Sequence, residues 1–315
     1  MRTPLMSSQR RVKPPSLRTP RRAATEAENI HGAALMLIAM TAFACNDATM
    51  KYLSQTLPLY EAIALRGILV MLALPLIFLG RGGVDLRVPR ADWLPLALRT
   101  FGEVSSTLLF LNALHHMPIG ELSAIMQALP LMVMLAAAVF FGEPLGWRRM
   151  AAVIVGLLGV LLILRPGSMS FTVWSMVALG SVLGVVLRDM VTRIFTPGLK
   201  SNTIAFYASL AVTLSAILIP SEPWRLPHVG ESGLLVLNAA LLALGYLTVV
   251  ATMRVGDVGF VAPFRYTSLV VAMILGAVIF GERPGFWTLT GASLVVAAGL
   301  YSIWRERRLS RSGAI

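Results

Sequence analysis

Charge is the scarcest resource in this sequence. Only 13% of its 315 residues are Asp, Glu, Lys or Arg, while 57% are hydrophobic. A soluble protein of this length sits nearer a quarter charged, roughly what its wet surface requires. The apolar residues fall in blocks of about twenty separated by short polar breaks, the length that spans a hydrocarbon core. Cysteine is almost as rare. Cys45 stands alone inside the first block, which excludes an intrachain disulfide and a cysteine-based metal site and leaves the redox compartment unread. Catalytic signatures are missing too: no P-loop, no Gly-x-Ser-x-Gly, no His-Glu-x-x-His and no paired glycine-rich dinucleotide loop. An enzyme is therefore not expected, nor a cofactor. His115-His116 does not restore a metal site, since adjacent histidines point about 100° apart on a helix and no Asp, Glu or Cys lies at ligand spacing nearby.

Acidic residues are in short supply against basic ones, 15 against 27, for a net charge of +12. In a soluble chain that excess would suggest nucleic acid. Here the bases lie in tails and loops, so membrane topology explains them and no nucleic-acid partner is expected. With the N-terminus inside, nineteen Lys and Arg fall on the cytoplasmic side and four, Lys51, Arg165, Arg225 and Arg283, on the other. Both termini are thus expected in the cytoplasm. Residues 1–30 hold seven bases, no acid before Glu26, and Pro14, Pro15 and Pro20 among serines and threonines. They read as a disordered basic cytoplasmic tail. A cleavable signal peptide is the rival reading, but no A-x-A site follows a short apolar region. Residues 305–315 form a second basic tail.

Between the tails the pattern predicts an all-α integral membrane protein of ten transmembrane segments, running Gly32–Tyr52, Glu61–Leu79, Leu94–Leu114, Leu122–Phe141, Met150–Leu164, Val173–Phe195, Thr203–Ile219, Leu234–Val250, Val261–Phe280 and Trp287–Trp304. Helix-stopping chemistry fills the breaks, as in Leu57-Pro58, Met117-Pro118-Ile119-Gly120 and Arg165-Pro166-Gly167. All six tryptophans lie at or beside segment ends, where interfacial anchors belong. The sequence also repeats itself. Aligning Phe141-Gly142-Glu143 with Phe280-Gly281-Glu282 pairs Gly120 with Gly259 and Met134 with Met273, while Asp47 and Asp189 are each followed four residues later by a base. Residues 31–165 and 171–304 are therefore read as five-helix repeats. An odd number of helices per repeat makes the two enter the membrane from opposite sides.

This arrangement resembles the drug/metabolite transporter superfamily, in particular chains of two EamA-type domains. The carriers are the five-plus-five count, the Gly-Glu after segments four and nine, the Asp47–Lys51 end of segment one and Arg66 early in segment two. The resemblance implies a permease for amino acids, amines or vitamins such as riboflavin, moved by exchange, proton coupling or facilitated flow. The second half departs from the first in having Ala208 where Arg66 would fall, so a site built on that arginine is one-sided.

An ionisable group at membrane depth costs a few kcal/mol or more and needs a partner or a water-filled path. Asp47, Arg66, Glu103, Arg188, Asp189 and Arg265 meet that description, and Gln127 and its repeat partner Tyr266 join them beside Pro130. Lys51 and Arg193, near helix ends, are explained by snorkelling or a local ion pair with Asp47 and Asp189. Arg66 would either brace Glu103 or grip an anionic group of a solute with its planar fork. Gly156, Gly159, Gly276, Gly291 and Gly299 are expected where helices approach closely. The reading is a secondary transporter in the inner membrane. It carries a small organic solute, with a proton or counter-solute as partner, by alternating access. Segments five and ten, outside the cavity, support the bundle or form a homodimer. Asp47 and Asp189 sit at opposite gates. The alternatives are a membrane-embedded binding or accessory subunit and, further off, an integral membrane enzyme.

Overall fold

The computed structural model describes residues 25–78, 86–143, 146–167, 171–196, 198–220, 223–255 and 257–311. These are helical nearly throughout and contain no strand. The helices are α1 (Glu26–Leu53), α2 (Leu59–Phe78), α3 (Trp93–His116), α4 (Ile119–Met126), α5 (Leu129–Phe141), α6 (Trp147–Leu164), α7 (Val173–Thr192), α8 (Ser201–Leu218), α9 (Val229–Val255), α10 (Val258–Val261), α11 (Thr267–Phe280) and α12 (Phe286–Arg311). A short 3-10 stretch, Ala262–Tyr266, joins α10 to α11. Counting α4 with α5, and that stretch with α11, eight of the described helical runs are long and apolar enough to cross a membrane. The middle of α3, outside that set, carries Arg99, Glu103, Ser105, Ser106 and Thr107. Each expected segment coincides with a helical pass.

Local chemistry sets the ends. A capping box starts α1: the Thr25 N–H donates to Glu28 Oε2 at 2.6 Å and the Glu28 N–H to Thr25 Oγ1 at 3.3 Å. The helix therefore begins six residues before the expected Gly32. The expected basic tail falls mostly on residues outside the described set, and its last residues, from Glu26 to Ile30, are helical. At the other end α12 runs through Trp304 to Arg311. Pro58 and Pro118 stand at the starts of α2 and α4, where a missing N–H costs nothing. Inside the fourth pass, Pro130 can neither donate to the Met126 carbonyl nor let it stay in place, and α4 ends at Met126. The ninth pass breaks over the 3-10 stretch that holds Pro263.

The closest packings join one half of the chain to the other: α1 with α9, α3 with α7, α2 with α8, and α6 with α12. Association of helices in lipid rests on small residues that let backbones approach. At the α6–α12 crossing a methyl group on Gly159 would fall 2.7 Å from the Gly291 carbonyl oxygen, so no side chain fits. Gly156, Gly276 and Gly299 are tight in the same sense, against Leu131, Ile119 and Tyr266. The interior around α1, α2, α4 and α7 is filled by Met50, Leu53, Ile63, Leu122 and Ile125 with alanines between them. Val139, Phe140, Ile154 and Leu158 face outward, as do five of the six tryptophans.

Gly159→Leu should destabilise the purified protein by about 1–3 kcal/mol through overpacking. Leu158→Ala, on the outward face of the same helix, should stay within about 0.5 kcal/mol. Thermal unfolding in detergent by intrinsic tryptophan fluorescence compares the two.

Candidate solute site

Arg66 on α2 is buried, with 9% of its surface exposed. Among the described residues its guanidinium makes no hydrogen bond or ion pair; Asp47 on α1 and Tyr246 on α9 lie within its electrostatic reach. The Asp47 carboxylate accepts one bond, from Asn46 Nδ2 at 3.1 Å. The Asn46 backbone carbonyl in turn accepts from Asn238 Nδ2 at 2.7 Å, a buried tie that fixes α1 on α9 at this depth. The Tyr246 ring meets Phe43 edge-on at 5.5 Å. Charges on α2, α3 and α7 (Arg66, Arg99, Glu103 and Arg188) surround Tyr246, yet 55% of its surface is exposed. The arrangement brings together a buried guanidinium, a carboxylate with spare lone pairs and a phenol within electrostatic reach of one another.

A second cluster is held by ion pairs, although Arg99 Nε and Nη1 stay buried without a hydrogen bond. Glu103 on α3 pairs with Arg99 at 3.4 Å and accepts from Arg188 on α7 at 3.3 Å, and Arg188 also reaches Asp189 at 2.9 Å. Two positive and two negative charges thus share one place. Gly102 allows it: a methyl group there would fall 2.9 Å from the Gly184 carbonyl oxygen, so α3 lies close enough to α7 for Glu103 to meet Arg188. Of the two roles expected for Arg66, bracing Glu103 is not the one observed, because Arg99 and Arg188 already hold that carboxylate.

Gln127, Arg265 and Tyr266 gather elsewhere. They line a cleft of about 160 Å³ between the breaks of the fourth and ninth passes, with Pro130, Ala262 and Ile303. Gln127 Nε2 donates to Ser268 Oγ at 2.9 Å. Tyr266 is buried with its hydroxyl unbonded against Gly299, and Arg265 is exposed. The eight expected residues therefore fall into three groups rather than one.

Lys51 is a correction. Instead of snorkelling or pairing with Asp47, it is buried, bonds Glu282 Oε1 at 2.6 Å and donates to the Met117 carbonyl at 2.6 Å. The end of α1 lies under the α3–α4 turn and the end of α11, which leaves its ammonium a partner closer than water. Arg193 pairs with Glu143 at 2.7 Å rather than with Asp189. The two histidines lie in the last turn of α3; His115 Nδ1 contacts Ser54 Oγ at 2.9 Å and His116 stacks on Trp174.

Sequence reading missed Tyr246, Arg99 and Asp92. The buried Asp92 accepts from the Thr196 N–H at 3.0 Å and binds its hydroxyl, clasping the start of α3 to the chain after α7. A signal for Tyr246 existed. A glycine precedes it, and Gly245 presses on Phe43 of α1 as Gly102 presses on α7.

These environments predict opposite stability effects. Glu103→Gln leaves Arg99 without its carboxylate, while Arg188 keeps Asp189, and should cost about 3–5 kcal/mol. Arg66→Leu removes an unpaired buried charge and should be neutral or stabilising by about 1–3 kcal/mol. Thermal unfolding of each purified variant measures both.

Comparison with known proteins agrees with this architecture. A family model described as the EamA-like transporter family matches residues 30–165 and again 172–304. An S-adenosylmethionine uptake transporter of Rickettsia bellii is 24% identical over 279 residues, spanning 88% of this chain and 94% of that one. A riboflavin transporter of Vibrio cholerae is 26% identical over 290 residues, spanning 90% and 96%. A pseudopaline exporter of Pseudomonas aeruginosa is 26% identical over 275 residues, spanning 85% and 94%. One solved crystal structure shares the fold at a TM-score of 0.59 with 20% identity, over 90% of this chain and 98% of its own. The chain belongs to the EamA-like transporter family of the drug/metabolite transporter superfamily.

Proposed function

We infer that this chain is a secondary transporter of the inner membrane that moves a small organic metabolite by alternating access, with both termini in the cytoplasm. The single observation that carries the reading is the buried guanidinium of Arg66, which makes no hydrogen bond or ion pair among the described residues and lies within electrostatic reach of Asp47 and Tyr246. Holding that charge in the bundle costs free energy that no hydrogen bond or ion pair among the described residues returns, and a solute that supplies an anion would return it. Asp47 adds a place for a cationic group and Tyr246 a ring to stack on or donate from. Binding by such a one-sided site is what a carrier needs: strong enough to strip water from a polar solute, weak enough to release it.

The cycle follows from two inverted five-helix repeats. Supporting that division is the exchange symmetry of the packing, in which α1 on α9 mirrors α3 on α7 while α2 pairs with α8 and α6 with α12. Repeats of opposite orientation can each adopt the other's conformation, turning a cavity open to one side into one open to the other. The breaks at Gln127 and at Ala262–Tyr266 give the fourth and ninth passes places to bend. Gln127, Arg265 and Tyr266 then serve bending and lining there, and the Glu103–Arg188–Asp189 cluster serves as a polar seam between α3 and α7. The crossing of α6 and α12 stands apart as support and as a surface for a homodimer.

Relatives of similar identity handle an adenosyl amino acid and a flavin, and one is an exporter, so substrate and direction are tested together. Proteoliposomes of the purified chain should take up S-adenosylmethionine, an amino acid, an amine or riboflavin faster than protein-free vesicles. Arg66→Ala should lower that rate by about 100-fold, and Arg66→Lys should recover little of it, since a bidentate fork is lost in both. Binding without flux would instead indicate an accessory subunit, and a chemically altered solute an enzyme.

A further inference from the structure

Two ion pairs occupy matching places at the two ends of the bundle. Lys51 lies four residues after Asp47 at the end of α1, and Arg193 four residues after Asp189 just beyond α7. Their partners, Glu282 and Glu143, each follow a Phe-Gly that ends α11 or α5. Both glycines, Gly281 and Gly142, take φ 66°, in the left-handed region that a side chain would strain. That turn folds each glutamate back over its own helix, the Glu282 N–H bonding the Gly276 carbonyl and the Glu143 N–H that of Ala137. Each cation also lies over the phenylalanine of its partner's motif: Lys51 Nζ is 5.2 Å from the Phe280 ring centroid and Arg193 Cζ 5.9 Å from that of Phe141.

The parts match, but their states differ. Side-chain exposures are 9% and 16% for Lys51–Glu282, against 43% and 56% for Arg193–Glu143. The buried pair is tied further, since Lys51 donates to the Met117 carbonyl and Glu282 Oε2 accepts from the Ile119 N–H at 2.9 Å. It clamps α1, the α3–α4 turn and the end of α11 together. Such a pair holds only while its extra hydrogen bonds satisfy the remaining donors and lone pairs. An exposed pair is worth little and opens easily. One end of the molecule is therefore sealed and the other wet.

We propose that Lys51–Glu282 and Arg193–Glu143 are the two gates of the transport cycle. Each is drawn into a buried, fully bonded clamp when its end closes, and each is released to water when its end opens. This rests on the alternating-access reading above, and it moves the gating role from Asp47 and Asp189 to the bases four residues beyond them.

The test uses the full chain with Cys45→Ala, reconstituted in lipid, and needs no solute. Spin labels on exposed sites report each end: Gln55 with Arg283 at the Lys51 end, and Gly146 with Thr192 at the Arg193 end. Removing the clamp with Lys51→Gln and Glu282→Gln should lengthen the distances at its own end by about 5 Å and shorten those at the other. Arg193→Gln with Glu143→Gln should bias the equilibrium the opposite way. The conservative variant Lys51→Arg, which keeps a donor for Glu282 and for the Met117 carbonyl, should keep the distances of the native chain, which guards against a variant that simply misfolds. Distances at the Lys51 end that stay unchanged in the neutral pair would overturn the proposal. So would a widening there with no narrowing at the far end. Uptake by the native chain is scored separately: reciprocal distances without flux would retain the gates and remove the transport function.

Discussion

The cost of a charge in an apolar solvent governs this structure. Each ionisable side chain in the bundle must find an opposite charge, a backbone carbonyl or water. Lys51 finds Glu282 and the Met117 carbonyl; Glu103 finds Arg99 and Arg188; Asp92 finds the N–H and hydroxyl of Thr196. These contacts bind distant parts of the sequence, and with the glycine-lined crossings they fix which helices meet. Arg66 makes no hydrogen bond or ion pair among the described residues, with Asp47 only within electrostatic reach, which is why the functional reading turns on it.

The same constraint explains how few polar residues serve such different ends. Gly102 lets α3 approach α7, and the approach turns Glu103 from a liability into a seam. Gly245 gives α9 a similarly close approach to α1, but there the next residue is Tyr246, which carries no charge to neutralise. Two close helix crossings can thus differ in one side chain, one holding a charge that needs partners and the other none. Ala208, buried where a second arginine would fall, makes the same point on α8.

Much of the fold was legible because a bilayer simplifies the sequence. Apolar blocks of fixed length, prolines at the turns and tryptophans at the ends located every helical pass, and five glycines chosen for close approach all lie against a neighbouring helix or side chain. The eight candidate residues were found by one rule, that polarity at depth needs a reason, yet the rule cannot say which reason. Three-dimensional partners decided it: Glu103 went to Arg188 because α3 crosses α7, and Tyr266 turned to Gly299, away from Arg66. Lys51 was misread because its position near a helix end suggested water, while the chain that buries it comes from more than sixty and two hundred residues away. Tyr246 was overlooked because an uncharged aromatic in an apolar helix announces nothing by itself.

Transport through this site requires that Arg66 face a water-filled path inside the membrane. The most direct measurement is the reaction of Arg66→Cys, in a chain also carrying Cys45→Ala, with a small charged methanethiosulfonate reagent in proteoliposomes. The account predicts modification by the charged reagent. A thiol that resists it while reacting with an uncharged, lipid-soluble maleimide would contradict the account, because residue 66 would then lie in lipid or sealed protein rather than in the solute's path.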